Sequence, residues 1–277
     1  MTPERPTPSS DWAWSTEVAA ADWWADRLEP WLDPGIRSIV PSGFEAVTRI
    51  FHPIGYADGS VGTWAELARS TGREAHPWMQ LHSIATPLGQ PVELPIDHPR
   101  DPYVDEGDLP EPPRSTVADV LAGFTTTADR CWFGVWDGYG QLHGSPAVAL
   151  HTYEQTRWLG RFGRAGRWRR NRDPVPGLAP SEMLAGPRVR APGRDYVLLR
   201  GPLTAVEPIT GAIGRQCPNL WWPKDRSWFL VTEIDFGWTY VAGPEALVEA
   251  IEGHDDIEAM RTSLHRPATA DSDDRNR

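Results

Sequence analysis

"NLWWPKDRSWFLVTEIDFGWTYVAGPEALVEAI", residues 219–251, is the stretch of sequence that decides the fold. Alternation of apolar and polar side chains predicts one strand over 228–235 and a second over 239–241. Gly243 and Pro244 then mark the start of a helix with an apolar face. Two strands joined by a short connection and followed directly by a helix are typical of an α+β protein.

Patterns elsewhere in the chain agree with this fold class. "GFEAVTRIFHP" (43–53) predicts a strand that ends at Pro53, and "TWAELARSTG" (63–72) predicts a short helix with a capping box. Apolar residues at helical spacing predict a further helix from Thr16 to Leu32. The strands are short and alternating, so the sequence predicts a mixed or mainly antiparallel sheet with helices packed on it.

The predicted domain organisation is a single α+β domain over 11–265. The Pro-, Ser- and Thr-rich N-terminus, residues 1–10, and the polar tail, residues 266–277, are predicted to be disordered. Two long segments interrupt the domain. Residues 95–114 form an acidic, Pro-rich loop, and residues 157–194 form an Arg-rich insertion.

The Arg-rich insertion has two interpretations. Arg157, Arg161 and Arg164 recur at helical spacing, which could present a basic face to RNA or to an acidic partner. Alternatively, the segment is a solvated insertion whose charge offsets the acidic loop. The sequence favours the second interpretation, because the chain as a whole carries a net charge of −11.

Composition narrows the classes of function. The net charge of −11 argues against a general nucleic-acid-binding protein, whose surface is usually basic. The two cysteines form no CxxC pair, the N-terminus has no apolar signal region, and no apolar run is long enough for a membrane span. We therefore expect a cytoplasmic protein that binds neither nucleic acid nor membranes.

Common catalytic and cofactor motifs are absent from the sequence. It has no GxGxxG or GxxxxGK[ST] phosphate loop, no GxSxG nucleophile elbow and no HExxH zinc motif. We therefore predict neither a cofactor nor a metal site.

The predicted strand at 228–235 carries two acids on a face that begins apolar. Side chains alternate in a strand, so Glu233 and Asp235 share a face with Phe229 and Val231. Upstream, "WWPKDRSW" turns at Pro223 and presents Lys224, Asp225 and Arg226, while the strand at 43–53 carries Arg49. These arginines predict the ion pairs: Arg49 or Arg226 with Glu233 and Asp235.

Two interpretations of these acids remain open. One is a semi-buried ion network without a role in function, which the sequence favours. The other is a ligand site with the acids and an arginine at its floor and aromatic walls, suited to a small polar molecule or to another protein. The predicted walls are Trp221, Trp222, Trp238 and Tyr240.

The stretches "GFEAVTRIFHP", "CWFGVWDGYG" and "NLWWPKDRSWFLVTEIDFGWTYVAG" together resemble a family of uncharacterised bacterial proteins with a WWPxDRxW…TExD pattern. The resemblance implies a shared fold over most of the chain and no activity. A looser similarity to small α+β immunity proteins depends on Trp-rich strands and acidity, which is an analogy of fold.

Two hypotheses of function follow from these residues. The first is a cytoplasmic binding or regulatory protein, immunity-like, that uses an acidic and aromatic surface. The second is a small-molecule enzyme in which Glu233 or Asp235 is the general acid/base and Arg226 anchors an anion. The sequence favours the first, because no nucleophile, metal set or cofactor loop accompanies the acids.

Overall fold

A computed structural model describes residues 11–31, 35–89, 102–144, 177–269 and 271–276. Every strand pairing in it is antiparallel, and most strands belong to one nine-stranded sheet; a separate two-stranded sheet holds β3 and β4. The strands are β1 (Ala13–Ser15), β2 (Ala46–Phe51), β3 (Ile54–Gly55), β4 (Val61–Gly62), β5 (Cys131–Trp136), β6 (Val189–Ala191), β7 (Arg194–Gly201), β8 (Leu220–Pro223), β9 (Phe229–Val231), β10 (Trp238–Gly243) and β11 (Ala259–Arg261).

The main sheet has the order β1-β7-β5-β8-β9-β10-β2-β11, and β6 pairs with β7. The stretch 219–251 supplies its centre, because β8, β9 and β10 are neighbours along the chain and in the sheet. The predicted α+β class with a mainly antiparallel sheet is therefore confirmed.

Short helices connect the strands. Thr63 caps α2 through the predicted capping box, since its hydroxyl accepts from the Glu66 amide and the Glu66 carboxylate accepts from the Thr63 amide. The helix at the end of the opening stretch begins after Pro244, as predicted. The helices are α1 (Asp22–Ala25), α2 (Trp64–Thr71), α3 (Leu81–Ala85), α4 (Pro113–Ala122), α5 (Gly140–His143), α6 (Ser181–Leu184), α7 (Val206–Ala212) and α8 (Glu245–Glu252).

The main sheet is buried on both faces. Neighbouring residues of β8, Trp221 and Trp222, belong to different apolar clusters, as strand alternation requires. Helices α4, α7 and α8 contribute to the cluster that holds Trp221. Helices α1, α2 and α3 contribute to the cluster that holds Trp222. No helix among the described residues combines the length and apolar character needed to cross a bilayer.

Two predicted elements are shorter in the structure. The strand expected over 228–235 ends at Val231, because the chain turns between Glu233 and Phe236, where the Phe236 amide donates to the Glu233 carbonyl at 3.0 Å. The helix expected from Thr16 to Leu32 is a 3-10 turn at Val18–Ala21 followed by the single turn of α1. Both residues of the Trp23–Trp24 pair pack against Phe229, which fixes the position of this short helix on the sheet.

The Arg-rich insertion predicted over 157–194 is described only in its second part, because residues 157–176 lie outside the described residues. Residues 177–194 contain α6, β6 and the first residue of β7. Pro192 and Gly193 form the turn between β6 and β7, and Gly193 has a φ of 73°, which glycine adopts without strain. This part of the predicted insertion therefore supplies a short helix and the first strand and turn of the β6–β7 hairpin of the main sheet.

The acidic loop predicted over 95–114 is also docked in its described part, 102–114. Leu109 is fully buried, and Tyr103 forms a backbone bridge with Gly55. A Cβ at Gly55 would lie 2.4 Å from the Tyr103 ring, so glycine permits this approach. Helix α4 then begins at Pro113, inside the predicted loop. Apolar anchors hold this acidic segment together with polar contacts, such as the Gly107 amide that donates to the Phe236 carbonyl at 3.0 Å and the Cys217 amide that donates to Asp108 at 2.8 Å.

The tail, predicted to be disordered, is described over 266–269 and 271–276, where several polar side chains contact the domain. Asp273 and Asn276 are buried, and the Asp273 carboxylate lies 2.9 Å from His76 Nε2. Burial opposes the ionisation of Asp273, but hydrogen bonds from His76, Asn276 and the Gln80 amide outweigh it and lower its pKa. The tail is held by polar contacts, which a search for apolar anchors misses. Residues 1–10, also predicted to be disordered, lie outside the described residues.

Candidate functional site

Glu233 and Asp235 lie in the turn after β9 and share one arginine. Arg194 Nη2 lies 2.5 Å from Glu233 Oε1 and 2.9 Å from Asp235 Oδ2. The Glu233 side chain is 2% exposed, whereas Asp235 is 73% exposed. We call Arg194, Glu233 and Asp235 the acid cluster.

Burial dominates the electrostatics of the acid cluster. It raises the pKa of Glu233, and the attraction of Arg194 offsets this only in part. For Arg194, burial lowers the pKa, but the charge of Glu233 and the hydrogen bond to it outweigh burial, so the net shift is upward. A buried carboxylate is tolerated here because a guanidinium supplies two donors to the same oxygen, Nε at 3.1 Å and Nη2 at 2.5 Å.

The predicted partner Arg49 does not pair with the acids. Its guanidinium is buried and donates to the carbonyls of Pro77 and Met79 at 3.0 and 2.9 Å. Its Cζ lies 3.7 Å from the ring centroid of Trp238, where the negative face of the indole stabilises the cation. Burial lowers the pKa of Arg49 to about 10. Arg49 therefore fastens the segment before α3 to the sheet.

The predicted partner Arg226 also lies apart from the acids. It occupies the turn between β8 and β9, whereas Glu233 follows the opposite end of β9. The Arg226 amide donates to the Pro223 carbonyl at 3.0 Å, and the Arg226 φ is 60°, in the left-handed region. Its Cζ lies 5.5 Å from the ring centroid of Trp23.

The four predicted aromatic walls do not enclose one pocket. Trp221 faces the opposite side of the sheet from the other three. Trp222 stacks on Phe229, and Trp238 stacks on Phe236, with Tyr240 buried in the same face. These aromatic side chains are core residues, held in place by one another.

The cavity at the buried end of the acid cluster is small, although a shallower concavity of about 380 Å³ also touches Arg194. The cavity that touches Arg194 and Glu233 has a volume of about 10 Å³, which is room for one water molecule at most. In the structure, Glu233 and Asp235 belong to an ion network with Arg194, and the ligand site predicted around them stays a prediction.

A much larger concavity lies elsewhere in the described part of the chain, with a volume of about 660 Å³. Its floor is a row of cross-strand neighbours, in which Ala13 of β1 faces Arg200, Arg200 faces Trp132, and Trp132 faces Trp222. Directly opposed residues of neighbouring strands share a face of the sheet, which brings their side chains together.

The walls of this concavity come from three loops or helical turns. Helix α1 contributes Trp23, the segment before β5 contributes Asp129 and Arg130, and the β8–β9 turn contributes Lys224 and Arg226. We call the site the Trp–Arg groove and define it by Trp23, Trp132, Arg200, Trp222, Lys224 and Arg226.

The lining of the Trp–Arg groove is positively charged in an acidic protein. Four cationic residues line it, Arg130, Arg200, Lys224 and Arg226, against three acids. Arg200 pairs with Glu17 at 3.0 Å and Arg130 with Asp129 at 3.5 Å. Among the described residues, neither Lys224 nor Arg226 has a carboxylate within 4.0 Å. These two side chains are available to an anion.

Asp225 fixes the turn that carries these two cations. Its carboxylate accepts hydrogen bonds from the Thr125, Thr126 and Ser227 hydroxyls and from the Thr126 amide at 2.7 Å. Burial opposes its ionisation, but these bonds outweigh burial and lower the pKa of Asp225 to about 2. Lys224 and Arg226 therefore flank an anchored residue.

Sequence reasoning missed most of the groove. It identified the turn that presents Lys224 and Arg226, but it assigned Arg226 to the acids. Trp23, Trp132 and Arg200 come from three different elements, and no local pattern joins them. One signal was available, because Lys224 is the only lysine in the chain and lies between a Trp pair and an arginine.

Among the described residues, no group of three or more His, Cys, Asp or Glu side chains is arranged to hold a metal ion. No family model matches the chain, and neither the curated proteins nor the solved structures contain a match. The resemblance to bacterial proteins with the WWPxDRxW pattern stays a prediction.

Proposed function

We propose that this protein is a cytoplasmic ligand-binding protein that holds its ligand in the Trp–Arg groove. One observation supports this above all: a space of about 660 Å³ in which a row of Trp and Arg side chains meets Lys224 and Arg226, two cations without a carboxylate partner in the described part of the chain. Small-molecule sites have volumes of about 300–1,000 Å³ and combine apolar walls with a few polar groups.

A small polar ligand is favoured over a protein partner. The groove is concave, and its aromatic floor is set below the walls formed by Trp23 and the β8–β9 turn. The cytoplasm remains the proposed compartment, because both cysteines are free thiols and buried, which suits a reducing environment.

The enzyme alternative has weaker support. It needs a substrate within reach of Glu233 or Asp235, but the cavity at Glu233 has a volume of about 10 Å³, and Asp235 is 73% exposed and does not line that cavity. It also needs Arg226 beside these acids, whereas Arg226 lies in the turn before β9 and the acids follow its far end.

A screen of neutral, cationic and anionic aromatic fragments tests the binding function. The rate at which Lys224 is acetylated, followed by peptide mass spectrometry, reports occupancy of the groove. The signal is unambiguous because the sequence contains no other lysine. We expect some fragments to slow acetylation of Lys224 and to raise the melting temperature. A ligand at 100 times its Kd stabilises a protein by about 2.7 kcal/mol.

A matched pair of variants locates the binding. Ala20→Trp fills the groove, which Ala20 lines, and should abolish both effects. Ala19→Trp places the same ring on the exposed side of the same 3-10 turn and should leave both unchanged. If no fragment protects Lys224, or if Ala20→Trp still binds like wild type, the proposed function is wrong.

A further inference from the structure

We infer that the ligand of the Trp–Arg groove is a small planar aromatic compound that carries a negatively charged group. This inference rests on the proposed function and narrows it to one chemical class. A ring suits the indole surfaces of the floor and wall. An anionic group, such as a carboxylate, sulfonate or phosphate, suits the cations of the β8–β9 turn.

The charge of the ligand follows from the partners of the lining residues. Of the three lining acids, Glu17 is engaged by Arg200 and Asp129 by Arg130, and Asp11 is also engaged in an interaction. Lys224 and Arg226 have no such compensation among the described residues. These two positive charges would repel a cationic ligand, whereas an anionic ligand would accept charge-assisted hydrogen bonds from them.

The ring of the ligand follows from the aromatic surfaces. Trp132 is only partly buried and offers its ring to the groove, whereas its cross-strand neighbour Trp222 is almost fully buried and supports it from the core. Trp23 forms the facing wall and has Arg226 at 5.5 Å from its ring centroid. Flat groups stack on indole and on guanidinium planes, so a planar ring fits both surfaces.

The backbone of Arg226 supports a role for its side chain. A φ of 60° favours glycine, and any other residue there carries a conformational cost. Arg215 also has a positive φ, of 66°, and does not line the groove, so strain alone does not mark a site. Arg226 is distinct because it lines the groove and its guanidinium carbon lies 5.5 Å from the ring centroid of Trp23, which also lines it.

Two probes with the same ring system separate the contributions of charge and ring. 1-Anilinonaphthalene-8-sulfonate is anionic, and N-phenyl-1-naphthylamine lacks the sulfonate. Octane-1-sulfonate keeps the anionic group without a ring. Binding of each is measured by fluorescence or calorimetry, together with protection of Lys224 from acetylation.

The anionic aromatic probe should bind wild type at least about tenfold more tightly than either of the other two. Lys224→Met and Arg226→Gly should each raise its Kd about tenfold, which corresponds to about 1.4 kcal/mol. The Kd of the neutral probe should change little. Glycine adopts the positive φ of residue 226 readily, so Arg226→Gly should not unfold the protein. A melting curve of the variant verifies that weaker binding is not caused by a loss of folding.

Arg215→Gly is the matched control, because it makes the same substitution at the same kind of backbone position and leaves the groove intact. It should not change the Kd of any probe. An equal effect of Arg215→Gly and Arg226→Gly on the anionic probe would overturn the inference.

The outcomes also distinguish the inference from the proposed function. If both ring-bearing probes bind equally and protect Lys224, the groove binds aromatic ligands and the anionic class is wrong. If octane-1-sulfonate binds as tightly as the aromatic sulfonate, the requirement for a ring is wrong. If no probe binds or protects Lys224, the inference is overturned, and the fragment screen then decides the proposed function by itself.

Discussion

The acid cluster and the Trp–Arg groove lie at opposite ends of β9 and differ in how their charges are compensated. In the acid cluster, one guanidinium serves two carboxylates beside a cavity of about 10 Å³. In the groove, two cations have no carboxylate partner among the residues that the structure describes, and they lie beside a space of about 660 Å³. The turn before β9 thus contributes to an open site, and the turn after β9 contributes to an ion network.

This difference shows that a buried charged residue is by itself weak evidence for a ligand-binding or catalytic site. Glu233 has a raised pKa, which is a common mark of catalytic acids, yet its charge is matched by Arg194. Charges without an internal partner beside a ligand-sized space indicate binding more directly. Experiments can test each side of the comparison.

The largest effect is expected at Arg194. Arg194→Met should destabilise the protein by about 3–5 kcal/mol, because it leaves the buried Glu233 carboxylate without its partner. Denaturant unfolding measures the loss. A double-mutant cycle with Glu233→Gln should give a coupling energy above about 1 kcal/mol.

The cycle between Arg226→Ala and Glu233→Gln is the control for Arg194. The two residues lie at opposite ends of β9, so their coupling should be near zero. A strong coupling to Arg226 with none to Arg194 would reverse the assignment of the acid cluster.

The next largest effect is expected at Asp225, which fixes the β8–β9 turn of the groove. Asp225→Ala should destabilise the protein by about 1–2 kcal/mol, through loss of hydrogen bonds to a charged group that is largely exposed. The folded pKa of Asp225 is lowered from 3.8 to about 2. Its contribution is therefore present above pH 3.8 and is lost as the pH falls toward about 2.

Unfolding curves recorded from pH 5 to pH 2 test this prediction for Asp225. The variant should show a weaker fall in stability over this range than wild type. Identical slopes for both proteins would mean that the carboxylate is not held by the threonine hydroxyls.

A smaller effect, of opposite sign, is expected at Arg226. Arg226→Gly should stabilise the protein by about 0.5–1 kcal/mol, because glycine adopts a positive φ at lower cost. Arg215→Gly should give a similar gain in thermal unfolding. Stabilisation together with weaker anion binding would separate the role of Arg226 in the groove from its role in the fold.

The smallest effect is expected at Asp235. Its side chain is 73% exposed, so Asp235→Asn should change the free energy of unfolding by less than about 1 kcal/mol, although Arg194 lies at 2.9 Å. A loss comparable to that of Arg194→Met would show that Asp235, rather than Glu233, is the main partner in the acid cluster.

Local patterns in the sequence determined several elements of the fold. The capping box at Thr63, the start of α8 after Pro244 and the antiparallel pairing around 219–251 follow from neighbouring residues, so they could be predicted. The ends of β9 could not. Alternation continues past Val231, and the turn at Glu233 depends on contacts with distant parts of the chain.

Only the tertiary structure decided which charges meet. The sequence identified both acids and the turn with Lys224 and Arg226, but Arg194 reaches Glu233 from a strand separated from β9 by β5 and β8. The groove likewise combines α1 with β5, β7 and the β8–β9 turn. Propensity and periodicity act over a few residues, whereas charge pairing and concavity arise from residues that lie far apart in the chain.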